Sequence, residues 1–377
     1  MGIGLNAEPR VAIVSDPLVQ RGGAERCVEV MAQTFPSAPI YTILYSKESG
    51  PASLAQRVLP SWLNRIPGAT RRHRWLLPLY PAAVESFDLS DYDVIISTHH
   101  TAAKGLLRNA RQTHICYCYT PMRALWERPF EERRSFPAPA RPLADVILHQ
   151  LRLWDYACAG RVDTFVAISE TTRQRIEKHY GCPSTVLYPP IDIERFSPGR
   201  NNVTDDYYLV ASRLVPYKRV DLAVAATAAL GRKLIVVGTG PGERNVRAPH
   251  VDYRGHVSDE ELIALMRGTR AMLFPAKEDF GMAPVETMSC GRPVVAYAAG
   301  GALETVVDGV TGVFAAEQTV DSFAQAMLRL ESIPFTASRI RAHAETFSRE
   351  RFAARLRSLV DEAFASLQSN RFVPPPA

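Results

Sequence analysis

The sequence predicts an α/β protein of two domains, each a parallel sheet doubly wound by helices. The chain has 377 residues, 46% hydrophobic and 22% charged. That is globular composition, too long for one small core and suited to two domains on the order of 150 to 200 residues each. Short apolar runs rich in β-branched residues alternate with helix-like stretches, the pattern of strands buried on both faces. A proline-bearing polar segment, from Tyr188-Pro-Pro-Ile-Asp192 to Arg200-Asn-Asn-Val203, breaks this alternation midway, and the alternation then restarts. The domains are placed at 1–190 and 191–350. A terminal helix and proline tail occupy 351–377, the helix being expected to cross back to the first domain.

In order along the chain, Arg10-Val-Ala-Ile-Val14 reads as a buried strand, followed by the turn-forming Ser15-Asp-Pro-Leu-Val-Gln-Arg-Gly-Gly23. Ala24, Cys27, Val28, Met31 and Phe35 then share one helical face. Further strands are predicted at 39–44, 93–97, 114–118 and 164–169, and beyond the linker at 207–212, 233–237, 251–254, 271–274 and 294–296. Ser258-Asp-Glu-Glu261 opens one helix as a capping box, and Gly291 is placed just past the end of another. Arg351 to Leu367 reads as a long final helix. Two such units would leave one cleft between them, and ligands of doubly wound sheets bind beyond the carboxyl ends of the strands.

Net charge is +5, too small a basic excess to imply nucleic acid. Residues 1–195 hold 23 Lys+Arg against 19 Asp+Glu, so the bias lies in the first half. The six cysteines form no CxxC pair and no disulfide framework, which reads as reduced thiols of a cytosolic protein. The start MGIGLNAEPR has no secretion signal, and no apolar run approaches a membrane-spanning length. No metal site is expected: Asp91-Tyr-Asp93 precedes a strand rather than following one, and His99-His100 lacks partners at ligand spacing.

Three loops after predicted strands have phosphate-binding character. Arg21-Gly22-Gly23-Ala24 lets backbone amides approach an anion at a helix start, though without the full GxGxxG spacing. Arg213 and Lys218, in Ser212-Arg-Leu-Val-Pro-Tyr-Lys218, offer a planar fork and a point charge for a diphosphate. The third is Gly238-Thr-Gly-Pro-Gly242. Beyond them, KEDFGMAPVE sets Glu278 and Glu286 eight positions apart around a Phe-Gly-Met turn. Each carboxylate can accept hydrogen bonds from two vicinal hydroxyls at once.

These motifs together resemble the retaining glycosyltransferases of the GT-B fold, of the nucleotide-sugar-dependent family 4 type. The carriers are ASRLVPYKRVD, GTGPG and FPAKEDFGMAPVETMSCGRPVVAYAAGGALETVVDGVTG, the last holding an E-x7-E pattern and a downstream Gly-Gly turn. LYPAAVESFDLSDYDVIIS and HICYCYTPMRALWE are similar to bacterial surface-polysaccharide mannosyltransferases. The resemblance implies two Rossmann-like domains facing a central cleft and a hexosyl transfer with retention, without metal or cofactor, from a nucleotide sugar, GDP-mannose being preferred. It implies that Glu278 holds donor-sugar hydroxyls, that Glu286 accepts from the ribose, and that Arg213 and Lys218 neutralise the diphosphate. It further implies that Phe280, Gly281, Met282 and Ala283 present amides to sugar and phosphates. The resemblance implies that Gly23 approaches the diphosphate, joined by Gly22 and Gly238 of the glycine loops, and that Val257 lies by the base, around Gly255-His-Val257. Tyr119, with Arg213, Lys218 and Glu278 the catalytic group, stands where such proteins usually carry the histidine of a His-x-Pro pattern. A tyrosine keeps a hydroxyl but does not titrate near neutral pH.

The acceptor implied is a saccharide or a lipid-linked saccharide. Arg57 to Leu77 interleaves arginines with tryptophan and leucine, and Arg133 to Arg152 is also arginine-rich and apolar, which suits an anionic membrane surface at the cytoplasmic face, or else a helix packed inward with a basic outer face. Alternatives are a UDP-sugar-dependent transferase of the same fold, a nucleotide-sugar epimerase and a sugar-nucleotide binding protein. A dehydrogenase would need GxGxxG and an acidic residue about twenty positions on, which are missing.

Overall fold

A computed structural model describes residues 8–199 and 205–370. The expected linker segment 200–203, the leading MGIGLNA and the proline tail lie outside the described residues. The chain divides into two units: the first runs to Tyr188 and resumes at Phe352, and the second is Pro189–Arg351.

The first unit is built on seven parallel strands: β1 (Val11–Ser15), β2 (Ile40–Thr42), β3 (Val58–Pro60), β4 (Val94–His99), β5 (Thr113–Cys118), β6 (Thr164–Ala167) and β7 (Ser184–Val186). Their order is β3-β2-β1-β4-β5-β6-β7. β1, β4 and β5 are buried along their whole length, because helices cover both faces of a parallel sheet. The order reverses at β1 and β4, whose registers pair Val11 with Val94 and Ser15 with Thr98. From Phe352 the last helix, Arg349–Asn370, joins this unit, with the Phe352 ring edge-on to Tyr117 at 5.5 Å and Arg357 donating to the Thr34 carbonyl at 3.1 Å.

The second unit holds six parallel strands: β8 (Tyr208–Ala211), β9 (Leu234–Val237), β10 (Val251–Gly255), β11 (Ala271–Phe274), β12 (Val294–Tyr297) and β13 (Gly312–Ala315). The order β10-β9-β8-β11-β12-β13 is the doubly wound 3-2-1-4-5-6 pattern, reversing between β8 and β11. Its core gathers Tyr208, Val210, Leu234, Val236, Leu273 and Val295 from the strands with Phe323, Met327 and Leu330 from the helix Val320–Ser332. The Ser258 hydroxyl accepts from the Glu261 amide, closing the capping contact its spacing predicts, and Gly291 takes φ 78° after the helix Met282–Ser289.

β3, β7 and β13 escape a reading by apolar runs. β3 and β7 are edge strands of three residues, exposed in part, and β3 contains a proline that only an edge tolerates. The run at 39–44 is a strand only over Ile40–Thr42; Ile43 and Leu44 bury their side chains just beyond it. Residues 57–77 form no amphipathic helix but β3 and two 3₁₀ segments, Trp62–Arg65 and His73–Leu79.

Two buried polar clusters of the first unit are hydrogen-bonded within the fold. Lys104, fully buried, donates to the Asp155 carboxylate and carbonyl at 2.6 Å each, and its ammonium lies 4.7 Å from the centre of the Tyr180 ring. Tyr180 and Trp126 donate to the other carboxylate oxygen at 2.9 and 2.7 Å. A charge so removed from water persists only with its hydrogen bonds met. His114 on β5 is also fully buried, its Nε2 2.7 Å from the Ser97 hydroxyl, and burial pushes its imidazole down to about 3 from an ordinary 6.5.

Between those two pH values the unfolded chain takes up a proton that folded His114 refuses. Stability therefore falls as pH drops from 6.5 toward about 3, by up to about 1.4 kcal/mol per pH unit for one such group. Urea unfolding of His114→Gln across this range is expected to show a shallower loss on acidification than the wild type. An identical slope would remove His114 as its source.

Candidate functional site

The candidate residues of the second unit stand in loops at the carboxyl ends of its strands and on the helix that follows one of them. The loop after β8 carries Arg213 and Lys218, and the loop after β11 carries Glu278. These strands flank the point where the sheet order reverses, the place where a crevice opens in such sheets. The Lys218 ammonium is ion-paired with Glu278, both side chains being largely shielded. Its nitrogen also lies 5.5 Å from the centre of the Tyr217 ring. The exposed Arg213 places a guanidinium nitrogen 3.3 Å from the Tyr217 hydroxyl. Tyr217 thus stands between the two cations, a role that its place in the motif as a spacer did not signal.

Glycines fix these loops by letting backbone meet backbone. Gly238 has φ 126°, and a Cβ there would lie 1.9 Å from the Ser212 carbonyl oxygen. Gly240, φ 153°, stands in the same way against the Leu214 carbonyl, and Leu214 donates to the Thr239 carbonyl at 2.9 Å. The GTGPG segment is therefore a brace under the Arg213 loop. Gly300 and Gly301 brace the Glu278 loop: the Gly301 amide donates to the Glu278 carbonyl at 2.8 Å, and Cβ atoms would meet the backbone of Glu278 and Phe280 at 2.3 Å.

Gly281 adopts φ 88° as the N-cap of the helix Met282–Ser289, so Met282 and Ala283 supply its first amides. Phe280 is buried, its ring edge-on to Phe347 at 5.6 Å. Glu286 lies within this helix and is 5% exposed, a carboxylate kept from bulk water. Val257, half-buried, follows β10 and Gly255.

In the first unit, Gly22 is the extended N-cap of the helix Gly23–Thr34, with Gly23 its first residue. Tyr119 follows β5 and donates its hydroxyl to the Ala24 carbonyl at 2.9 Å, tying the strand end to this helix start. Burial pushes its phenol well above 10, so it exchanges no proton near neutral pH. The Asp91-Tyr-Asp93 acids sit before β4, where Asp93 accepts from the Arg10 amide at 3.1 Å. Among groups the sequence reading passed over, Asp16, just after β1, accepts from four successive backbone amides, His100, Thr101, Ala102 and Ala103, at 2.7 to 3.0 Å. An acid in the turn after a buried strand was its one available signal.

The family model described as Glycosyltransferase Family 4 matches residues 21–195, and that described as Glycosyl transferases group 1 matches residues 192–347. The chain has the α/β GT-B fold, and its two halves match these two glycosyltransferase models. D-inositol 3-phosphate glycosyltransferase of Mycobacterium avium is 29% identical over 214 residues, 48% of this chain and 50% of that protein. The Mycolicibacterium paratuberculosis protein of that name is 30% identical over 216 residues, 48% of each chain. The chain thus spans about half the length of the curated relatives it matches. Among solved structures, Anabaena HepE in complex with UDP-glucose has TM-score 0.68 and 18% identity, covering 94% of this chain and 100% of that one. Sucrose-phosphate synthase from Thermosynechococcus elongatus has TM-score 0.70 and 16% identity, covering 95% and 100%. At such identities these two establish a GT-B fold and nothing more.

The braces of this GT-B protein are open to test. Gly238→Ala is expected to cost about 1–3 kcal/mol of stability through the forced backbone conformation, and to displace the Arg213 loop. Urea unfolding reads the first effect and nucleotide affinity the second. An unchanged midpoint with unchanged affinity would mean that GTGPG is a turn without a bracing role.

Proposed function

We propose that the protein is a retaining, metal-independent hexosyltransferase that moves a sugar from a nucleoside diphosphate to a saccharide or lipid-linked saccharide. The observation that carries this reading is the Lys218–Glu278 ion pair between the two loops at the reversal of the second sheet, with Glu286 buried on the helix that starts at Gly281. Each charge in the pair holds the place of a ligand group. A diphosphate takes over the Lys218 ammonium, and Glu278 is released to accept hydrogen bonds from sugar hydroxyls. Arg213 adds a second cation, and the amides of Gly281, Met282 and Ala283 add a helix start. As the bond to the anomeric carbon breaks, negative charge grows on the leaving phosphate, which these preorganised groups stabilise more than they stabilise the ground state. The leaving phosphate then helps to deprotonate the acceptor on the same face.

Mannose from GDP-mannose is the preferred donor, supported by the likeness of LYPAAVESFDLSDYDVIIS and HICYCYTPMRALWE to polysaccharide mannosyltransferases. A UDP-sugar donor is the second reading, because HepE is a fold neighbour captured with UDP-glucose. GDP, UDP and ADP at equal concentration separate them, since a ligand bound only by the folded state raises Tm. A rise with GDP alone supports mannose transfer, a rise with UDP replaces the donor, and no rise with any of the three removes the nucleotide-sugar reading. Lys218→Ala is expected to lower turnover of the nucleotide sugar by about 10²–10³ while the fold survives. Near-normal turnover would break the diphosphate assignment.

The membrane contact is proposed on residues 57–77 at the inner face of the cell membrane. Trp75 is 75% exposed, and Leu59, Trp62, Arg71, Arg72 and Arg74 are exposed in the same stretch. No described helix is long and apolar enough to cross a membrane. Arg57 stands outside this surface, because its guanidinium donates to the carbonyls of Ala32, Phe35 and Ala38. Co-sedimentation with anionic liposomes at low salt is expected, weakened severalfold in Trp75→Ala; wild-type protein left in the supernatant ends the proposal.

A further inference from the structure

The sheet of the first unit reverses its order between β1 and β4, as the second sheet does between β8 and β11. Asp16 follows β1 and His100 follows β4, so both stand at this second reversal, where an open α/β sheet leaves room for a ligand. Asp16 is buried, and its four amide contacts hold its carboxylate in one orientation. The same carboxylate lies 3.2 Å from Nδ1 of His100, whose side chain is 43% exposed. A carboxylate this close to Nδ1 favours a proton on that nitrogen, and the neutral imidazole then presents Nε2 as an acceptor. The His100 ring also packs edge-on to Tyr119, 6.1 Å between centres, and Tyr119 is anchored to the Ala24 carbonyl.

The next residue, Glu25, supplies an independent sign. It is 4% exposed, and its Oε2 has no hydrogen-bond partner among the described residues. A buried carboxylate oxygen without a donor is costly. Here burial raises its pKa, opposed by its own and the Gly22 amide, by Gln20 and by the field of His100. Gly22 packs close beside this oxygen without a side chain, since a Cβ there would lie 3.0 Å from it. Donors supplied by a ligand would meet that need.

We propose that His100 and Glu25, with Asp16 as the positioning residue for His100, form a hydroxyl-binding subsite for the uncharged polyol portion of the acceptor. Nε2 of His100 accepts from one hydroxyl, and Oε2 of Glu25 accepts from another. Two carboxylates in one small region disfavour a phosphate there, so a phosphorylated acceptor places its phosphate elsewhere. The identity of the polyol as acceptor rests on the transferase reading; the binding of hydroxyls does not.

The full-length protein is titrated with methyl α-D-mannopyranoside, with myo-inositol and with inorganic phosphate while the imidazole signals are followed by NMR. The His100 signal is identified by its loss in His100→Gln. The uncharged polyols are expected to shift that signal saturably and phosphate to leave it in place. Glu25→Gln is expected to weaken polyol binding about tenfold with Tm unchanged or raised. Asp16→Asn is expected to move the imidazole ¹⁵N shifts away from the Nδ1–H tautomer and to weaken binding likewise. Should Asp16→Asn fail to fold, Glu25→Gln and His100→Gln decide. No shift with either polyol overturns the subsite, and so does a shift with phosphate alone. A parallel melting series with GDP and UDP keeps the two readings apart: polyol shifts without nucleotide stabilisation leave the subsite and remove the transferase, and the reverse leaves the transferase without this subsite.

Discussion

The candidate site of the second unit depends on backbone packed directly against backbone. Gly238 and Gly240 lie under the carbonyls of Ser212 and Leu214, and Gly300 and Gly301 lie against Glu278 and Phe280. No other residue permits these approaches, because any Cβ would stand within about 2 to 2.5 Å of a main-chain atom. Two loops that are distant in sequence are thereby held rigid enough for Lys218 and Glu278 to meet. Electrostatic stabilisation of a leaving group is effective only when the charges need not reorganise. In the proposed transfer the glycines thus serve the chemistry although none of their atoms reacts.

The first unit uses a different device for the same purpose. Its strand-end loop is ordered by one buried acid, Asp16, which gathers four consecutive amides and orients His100. Tyr119 ties the end of β5 to the first helix through the Ala24 carbonyl. Its hydroxyl is therefore part of the scaffold, while His100 presents the partly exposed imidazole of this strand-end cluster. Lys104, Asp155, Trp126 and Tyr180 form a separate buried network behind the strands, where every hydrogen bond to the Asp155 carboxylate comes from a residue far away in sequence.

Much of this was legible in the chain. The apolar runs located β1, β4, β5, β6, β8, β9, β11 and β12 to within two residues, because strands buried on both faces need apolar side chains at every position. Edge strands such as β3 and β7 lack that demand and left no comparable trace. His114 read as a buried strand residue, and the structure places it so, bonded to Ser97. The basic and aromatic stretch 57–77 was visible as composition only. That Arg57 serves the carbonyls at a helix end, while Trp75 faces outward, follows from where the chain passes.

The sequence by itself determined which residues could bind a diphosphate and a polyhydroxylated sugar, since charge, hydroxyl-accepting carboxylates and glycine spacing are properties of short segments. The pairing of Lys218 with Glu278, the place of Tyr217 between two cations and the conjunction of Asp16, Glu25 and His100 were decided by tertiary structure alone. Those residues come from different strand ends, and parallel strands joined by long crossovers bring their carboxyl ends together only once the sheet order is set.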